Sequence, residues 1–331
     1  MDLQEFLAQW HDDSPTLLVH TSGSTGSPKP MYVEKRRMQA SAITTCRFLG
    51  LKVGDSALLC MPLDYIAGKM MVVRALTCGL RLINVPPSSH PLAHASLHDQ
   101  PVDFAAMVPM QVWNSLQVPD ERHRLMQIHH LIIGGGAVDE ALARELRSFP
   151  HHVWSTYGMT ETLSHIALRR LNGPDASEWY TPFQGVTLSL TDEGCLVIQA
   201  PEVCQETLVT NDIAQLDGCR FRILGRCDNV VCSGGVKIQI EEVERLLHPH
   251  LDHPFLITKT PDTQLGEQVV LLTESNDADA VLAVCRQHLP KYWIPRRVFS
   301  VRSLPLTGTG KPARHDAELL ATTLCRSQVP L

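Results

Sequence analysis

The chain has 331 residues, 44% of them hydrophobic and 19% charged, the balance of an ordinary globular protein with a substantial core. A formal net charge of -6 argues against nucleic acid as a partner. No apolar run reaches the length of a membrane span, so no membrane insertion is expected. The length predicts two domains. Residues 1–13 are acidic and lack a charged-then-apolar leader. The ten cysteines are dispersed without a Cys-x-x-Cys pair, which predicts reduced, mostly buried thiols in a cytoplasmic protein.

In chain order, the first informative stretch is Leu17, Leu18 and Val19 running into Thr21-Ser22-Gly23-Ser24-Thr25-Gly26-Ser27-Pro28-Lys29. Glycines let a backbone turn close to a ligand, and consecutive N–H groups in such a turn make an anion nest. The hydroxyls add donors, and Lys29 adds a point charge suited to phosphate. The spacing Gly23-x-x-Gly26-x-x-Lys29 is not the Walker pattern. A flexible Ser/Gly linker is disfavoured, because Pro28 stiffens the stretch and an apolar segment leads straight into it.

Residues 33–49 predict a helix with Met38, Ala42, Cys46 and Leu49 on one side. Its basic cluster Lys35-Arg36-Arg37 reads as a solvated face. Strands are expected at 56–61 and 80–85 around a buried helix at 68–80, and at 104–108, 130–133 and 152–155. Residues 86–101, rich in Pro, Ser and His, read as a loop or a short surface helix. Gly134-Gly135-Gly136 follows the strand at 130–133 and precedes a helix at 139–147, with Asp139 as its N-cap and Leu142 and Leu146 on one face. This is βαβ grammar, and ligands in such sheets sit beyond the carboxyl ends of the strands.

From Pro182 the grammar changes to short strands at 186–190, 195–199, 206–209 and 221–224, a small β subdomain. A boundary is placed at 225–229. Beyond it, helices at 240–247 and 278–288 and strands at 256–259, 268–273 and 297–301 predict a small α+β domain. His248, His250 and His253 sit among prolines that break any regular ligand face, so a metal site there is disfavoured. Residues 304–312 form a Gly/Thr/Pro loop carrying Lys311.

Four further motifs follow the hydroxyl-rich loop: Tyr157-Gly158-Met159-Thr160-Glu161, Thr210-Asn211-Asp212, Gly225-Arg226-Cys227-Asp228 with Gly234-Gly235-Val236-Lys237-Ile238, and Gly308-Thr309-Gly310-Lys311. In this order the chain resembles the adenylate-forming superfamily of acyl-CoA synthetases, luciferases and peptide-synthetase adenylation domains. The resemblance implies an α/β fold: a large N-terminal ATP- and acid-binding domain (1–227) with a βαβ sheet and a small β subdomain, and a small mobile α+β C-terminal domain (228–331) carrying the catalytic lysine. It implies ATP, Mg²⁺ and coenzyme A, with a small-molecule carboxylic acid as the other substrate. A homodimer is the assembly kept in view.

By the family pattern, Thr21, Ser22, Gly23, Ser24, Thr25, Gly26 and Lys29 wrap the β- and γ-phosphates. Thr160 approaches the α-phosphate from beside Thr156, and Glu161 helps hold Mg²⁺. Tyr157 and the backbone of Gly134, Gly135 and Gly136 flank the adenine, while Asp212 and Arg226 hold the ribose. Lys311 bridges the carboxylate and the α-phosphate. Asp228 is the hinge about which the small domain swings. Relatives carry a long segment before the phosphate loop where this chain has residues 1–20, which predicts a compact version of the fold lacking one subdomain. Relatives often have His where Tyr65 stands, Gly where Asn211 stands, and Asn where Gly310 stands.

The run Thr160-Glu161-Thr162-Leu163-Ser164-His165-Ile166-Ala167-Leu168-Arg169 resembles the o-succinylbenzoate–CoA ligases of menaquinone biosynthesis. Their substrate has two carboxylates, and the one that does not react needs a cation or strong donors. Lys69, Arg74, Ser164 and His165 are the candidates. Another aryl- or acyl-CoA ligase, a carrier-protein-loading adenylation enzyme, and a non-catalytic nucleotide-binding relative are the alternatives.

Overall fold

The computed structural model describes residues 1–20, 30–97, 100–307 and 312–327. Its largest sheet has seven strands in the order Arg81–Asn84, Ser56–Leu59, Phe104–Met107, His130–Ile133, His152–Gly158, His165–Arg170 and Thr181–Pro182. The first five run parallel and the last two antiparallel. Strands such as Ser56–Leu59 and Phe104–Met107 are buried at every position, which is why both are short runs that are apolar except at Ser56. Helices Lys35–Leu49 and Ile66–Cys78 pack beside them, and both end on a left-handed glycine, Gly50 and Gly79. The helix Glu140–Leu146 begins where Asp139 Oδ1 accepts the Leu142 N–H at 2.7 Å, as its sequence predicts.

Elements the sequence reading passed over also shape the core. Helix Leu3–His11 starts on a reciprocal Asp2–Glu5 capping box and buries Phe6 and Trp10. Two helices, Pro109–Gln117 and Pro119–Met126, each open on a proline. Strand Thr16–His20 pairs antiparallel with Pro30–Glu34, His20 opposite Pro30. The basic cluster is solvated only at Arg36. Lys35 pairs with Asp12 at 2.7 Å, Arg36 and Arg37 both reach Glu34, and Arg37 also donates to the Pro201 carbonyl at 2.7 Å.

A second sheet is antiparallel: Thr187–Leu190, Cys195–Gln199, Leu208–Asp217 and Arg220–Arg226. Its core joins Leu196, Ile198 and Phe221 to Ile166 and Ala167 of the large sheet. The turn Cys227–Asn229 then leads into a five-stranded sheet that starts with the hairpin Val230–Ser233 and Val236–Gln239. Helices Ile240–Leu247 and Ala278–His288 cover one face of it. Helix Arg314–Ser327 covers the other through Ala317 and Ala321. His250 stacks on His288 and His248 packs against Phe255. No helix among the described residues is long and apolar enough to cross a membrane. All ten cysteines are unpaired, but only Cys46, Cys60, Cys195 and Cys285 are buried, so the expectation of mostly buried thiols is corrected.

Histidines crowd the amino-terminal ends of two parallel strands. His130 stacks on His152 with ring centroids 5.0 Å apart, and His129 meets His151 edge-on at 4.7 Å. Burial first, and then the neighbouring His152 and His129, hold His130 down at about 4. Burial likewise lowers His151 and His152. A histidine depressed in the folded state binds fewer protons than in the unfolded chain below about pH 6.5, so stability falls as pH drops from there toward 4. His130 is only half-buried, which discounts the effect for solvent screening. Urea unfolding should show about 1 kcal/mol less stability at pH 5 than at pH 7.5. Identical midpoints at the two pH values would contradict this.

Candidate active site

The carboxyl ends of strands His130–Ile133 and His152–Gly158 bring the glycine turn and the Tyr157 motif side by side. Gly134 donates to the Met107 carbonyl at 3.1 Å, and a Cβ on it would lie 2.4 Å from Thr156 Oγ1. Pairing of the second sheet sets Asp212 directly opposite Arg226. Tyr157 closes the group, its hydroxyl donating to Asp212 Oδ2 at 2.6 Å. Arg226 donates to Asp212 Oδ1 at 3.2 Å and grips Asp228 through Nε at 2.8 Å and Nη2 at 2.7 Å. Asn211 Nδ2 also reaches Asp228 at 3.2 Å. Burial and the adjacent Asp212 carboxylate push the Tyr157 phenol up, so it remains a neutral donor. The two carboxylates, Asp228 foremost through its hydrogen bonds, push the Arg226 guanidinium up. Residues far apart in sequence thus form one polar rim, with hydroxyl, carboxylate and guanidinium groups able to meet a sugar.

Beyond Tyr157 the chain turns tightly. Thr160–Thr162 is one 3-10 turn, and Leu163 follows at φ +65°, a left-handed conformation rare for a branched residue. The Thr162 hydroxyl lies 3.0 Å from the Met159 carbonyl and 2.7 Å from that of Ser164. A Cβ at residue 158 would sit 2.3 Å from the Ser164 carbonyl oxygen, so only glycine fits there. Thr160 is buried and Glu161 exposed. The Glu161 carboxylate has no ion pair among the described residues. An exposed oxygen donor of this kind suits Mg²⁺, which keeps most of its waters and takes one or two carboxylates.

The four acid-site candidates separate into two places. Arg74 Nη2 donates to Ser164 Oγ at 2.6 Å, and Ser164 Oγ lies 3.2 Å from His165 Nδ1. Arg74 is 2% exposed and has no ion pair among the described residues, its Nε lacks a partner, and Nη1 faces only the Met71 sulfur at 3.8 Å. Burial lowers it to about 10, which leaves it charged at neutral pH. Burial and the nearby Arg74 hold His165 well below its usual value, so it is neutral. Lys69 lies elsewhere, its ammonium donating to the Leu18 carbonyl at 3.1 Å and lining a cleft of about 330 Å³ with His20 and Asp64. Sequence reasoning did not find Thr45, whose hydroxyl meets His165 Nε2 at 3.1 Å. It lies beside Ala42 and Cys46 on the buried side of its helix and carries no motif.

Thr21, Ser22, Gly23, Ser24, Thr25, Gly26 and Lys29 lie outside the described residues, as does Lys311. Their flanks are described. Strands Thr16–His20 and Pro30–Glu34 lie on either side of residues 21–29, and Leu306 and Pro312, joined by a bridge, lie on either side of residues 308–311. Arg314, three residues beyond Lys311, makes a two-pronged pair with Glu244 at 2.7 Å on each arm and donates to the Ile257 carbonyl at 3.0 Å.

The chain belongs to the AMP-binding enzyme family, whose model matches residues 4–202 and so takes in the large sheet with its glycine turn and the Tyr157 motif. Among curated relatives, 2-succinylbenzoate–CoA ligases of Bacillus cereus and Bacillus thuringiensis subsp. konkukian are each 25% identical over 334 residues, covering 92% of this chain and 69% of theirs. Among solved structures, an acyl-CoA synthetase (AMP-forming)/AMP-acid ligase II-like protein from Dyadobacter fermentans is 34% identical. It matches with a TM-score of 0.65 over 95% of this chain and 91% of its own. The o-succinylbenzoate coenzyme A synthetase from Bacillus subtilis, in complex with ATP and magnesium ion, shares the fold at TM-score 0.75. It is 23% identical over 91% of this chain and 69% of its own.

Proposed function

We propose that this protein is an ATP-dependent acid–CoA ligase and that its acid is o-succinylbenzoate. In the first step a carboxylate oxygen attacks the α-phosphorus of ATP, pyrophosphate leaves, and an acyl-adenylate forms. In the second step the thiol of CoA attacks the acyl carbon and AMP leaves. Both reactants of the first step are anions, so the site must supply cations and oriented donors. In this reading Asp212 and Arg226 take the ribose hydroxyls, and Tyr157 with the Gly134–Gly136 backbone flanks the base. Thr160 and Thr156 face the α-phosphate, and Asp228 is the pivot of residues 228–331. Glu161 would hold Mg²⁺, which neutralises phosphate charge when bound. The loop 21–29 and Lys311 complete the phosphate and carboxylate contacts. Unpaired thiols throughout support a reducing, cytoplasmic compartment.

The observation that carries the choice of acid is Arg74. A buried guanidinium without a carboxylate is costly unless an anion from outside completes it. An acid with a second carboxylate supplies that anion, and a fatty acid or benzoate does not. In this reading Lys69, whose ammonium donates to the Leu18 carbonyl, serves the end of the acid away from Arg74. AMP release should therefore be fast with o-succinylbenzoate plus CoA and slow with benzoate or a fatty acid. Arg74→Met should raise the KM for o-succinylbenzoate by roughly 10²-fold, the loss of a charge-assisted pair. Equal rates with all three acids, or an unchanged KM in the variant, would overturn the assignment. ATP binding without acid-dependent AMP release would instead favour a non-catalytic relative.

A further inference from the structure

Ser41, Thr45, His165, Ser164 and Arg74 form a chain of buried hydrogen bonds from helix Lys35–Leu49 to the guanidinium. The direction of every proton in it follows from its two ends. The Ser41 carbonyl only accepts, so the single Thr45 hydroxyl proton is directed to it, at 3.1 Å. The Thr45 oxygen must then accept from His165 Nε2–H, at 3.1 Å. That leaves Nδ1 bare, and it takes the Ser164 hydroxyl proton. The lone pairs of Ser164 then face Arg74, which only donates. Reversing the chain would direct the Thr45 proton at His165 and leave the Ser164 proton without an acceptor among the described residues, a penalty the forward direction avoids.

We propose that Thr45 is a positioning residue for the second carboxylate of the acid, fixing His165 as the neutral Nε2–H tautomer so that Ser164 holds Arg74 by one nitrogen. This rests on the ligase reading above. Ser164 occupies Nη2 alone, and Nε–H is left without a partner for the incoming carboxylate. A neutral His165 also means that the subsite carries one positive charge rather than two, which matches one carboxylate. A charged imidazolium would point an N–H from Nδ1 at Ser164 and compete with Arg74 for its lone pairs. Burial and the adjacent guanidinium hold His165 in the neutral form.

The test compares Thr45→Val, which keeps the shape and removes the hydroxyl, with Thr45→Ser, which keeps the hydroxyl. Thr45→Val should raise the KM for o-succinylbenzoate about five- to tenfold, the scale of one lost hydrogen bond, with kcat and the KM for ATP moved far less. Nitrogen NMR of His165 should show Nε2–H in the unmodified protein and in Thr45→Ser, and a tautomer mixture in Thr45→Val. Arg74→Met is run in parallel. A KM that rises in Arg74→Met but not in Thr45→Val, with the tautomer unchanged, overturns the positioning role and leaves the ligase reading standing. A KM that rises in neither variant overturns both.

Discussion

Lys311→Ala should slow acyl-adenylate formation by about 10²- to 10³-fold, the scale of removing one charge-stabilising group from a transition state. Transfer of the acyl group from pre-made acyl-AMP to CoA should continue at close to the unmodified rate. In the first step, negative charge builds between the attacking carboxylate and the α-phosphate, where a lysine ammonium is most effective. In the second, the phosphate is already leaving as AMP and the nucleophile is a thiol. The residues on either side of Lys311 are tied together, with Ala313 donating to the Pro305 carbonyl at 3.0 Å and Leu306 bridged to Pro312. Single-turnover measurements of each half-reaction decide the matter, and an equal loss in both would refute the role.

The second large effect is on stability. Arg314→Met should cost about 3 kcal/mol, because it strands the Glu244 carboxylate without its cation. Glu244 is 9% exposed. Its oxygens take both arms of Arg314 and the Ile257 N–H at 2.9 Å, so the pair ties helix Ile240–Leu247, strand Phe255–Asp262 and the start of helix Arg314–Ser327 together. Burial opposes the charge on Arg314, and the Glu244 hydrogen bonds outweigh it and leave the guanidinium raised. Urea denaturation should show a lower midpoint with an unchanged slope. A midpoint shift of less than a third of that predicted would mean that the pair is screened like a surface one.

Much of this was legible because buried parallel strands leave a strong trace. Residues 57–59 and 131–133 are apolar throughout because both faces are covered. Asp212 and Arg226 were readable as motif members, though only antiparallel pairing explains why they meet. The helix Leu3–His11 was missed although Asp2 and Glu5 stand at capping-box spacing, and the two proline-led helices were passed over although a proline at the first helical position is a start signal. Gly234-Gly235 was taken as a motif and is also the turn of a hairpin. Lys69 and Arg74 share a helix, but five residues of spacing turn them about 140° apart around it, so grouping them as one acid site overlooked the helical period. Thr45 and His165 are 120 residues apart, and no local pattern announces a contact of that range.

The tight turn from Gly158 to Ser164 has one more consequence. Glu161 and Ser164 are rigidly joined by a backbone that allows no Cβ at residue 158 and carries a left-handed leucine at 163. In the proposed ligase, the residue assigned to the cation, Glu161, and the one assigned to the acid, Ser164, would then stand at opposite ends of one short lever. On that assignment, a substitution at residue 164 should shift the Mg²⁺ dependence of the reaction as well as its acid preference.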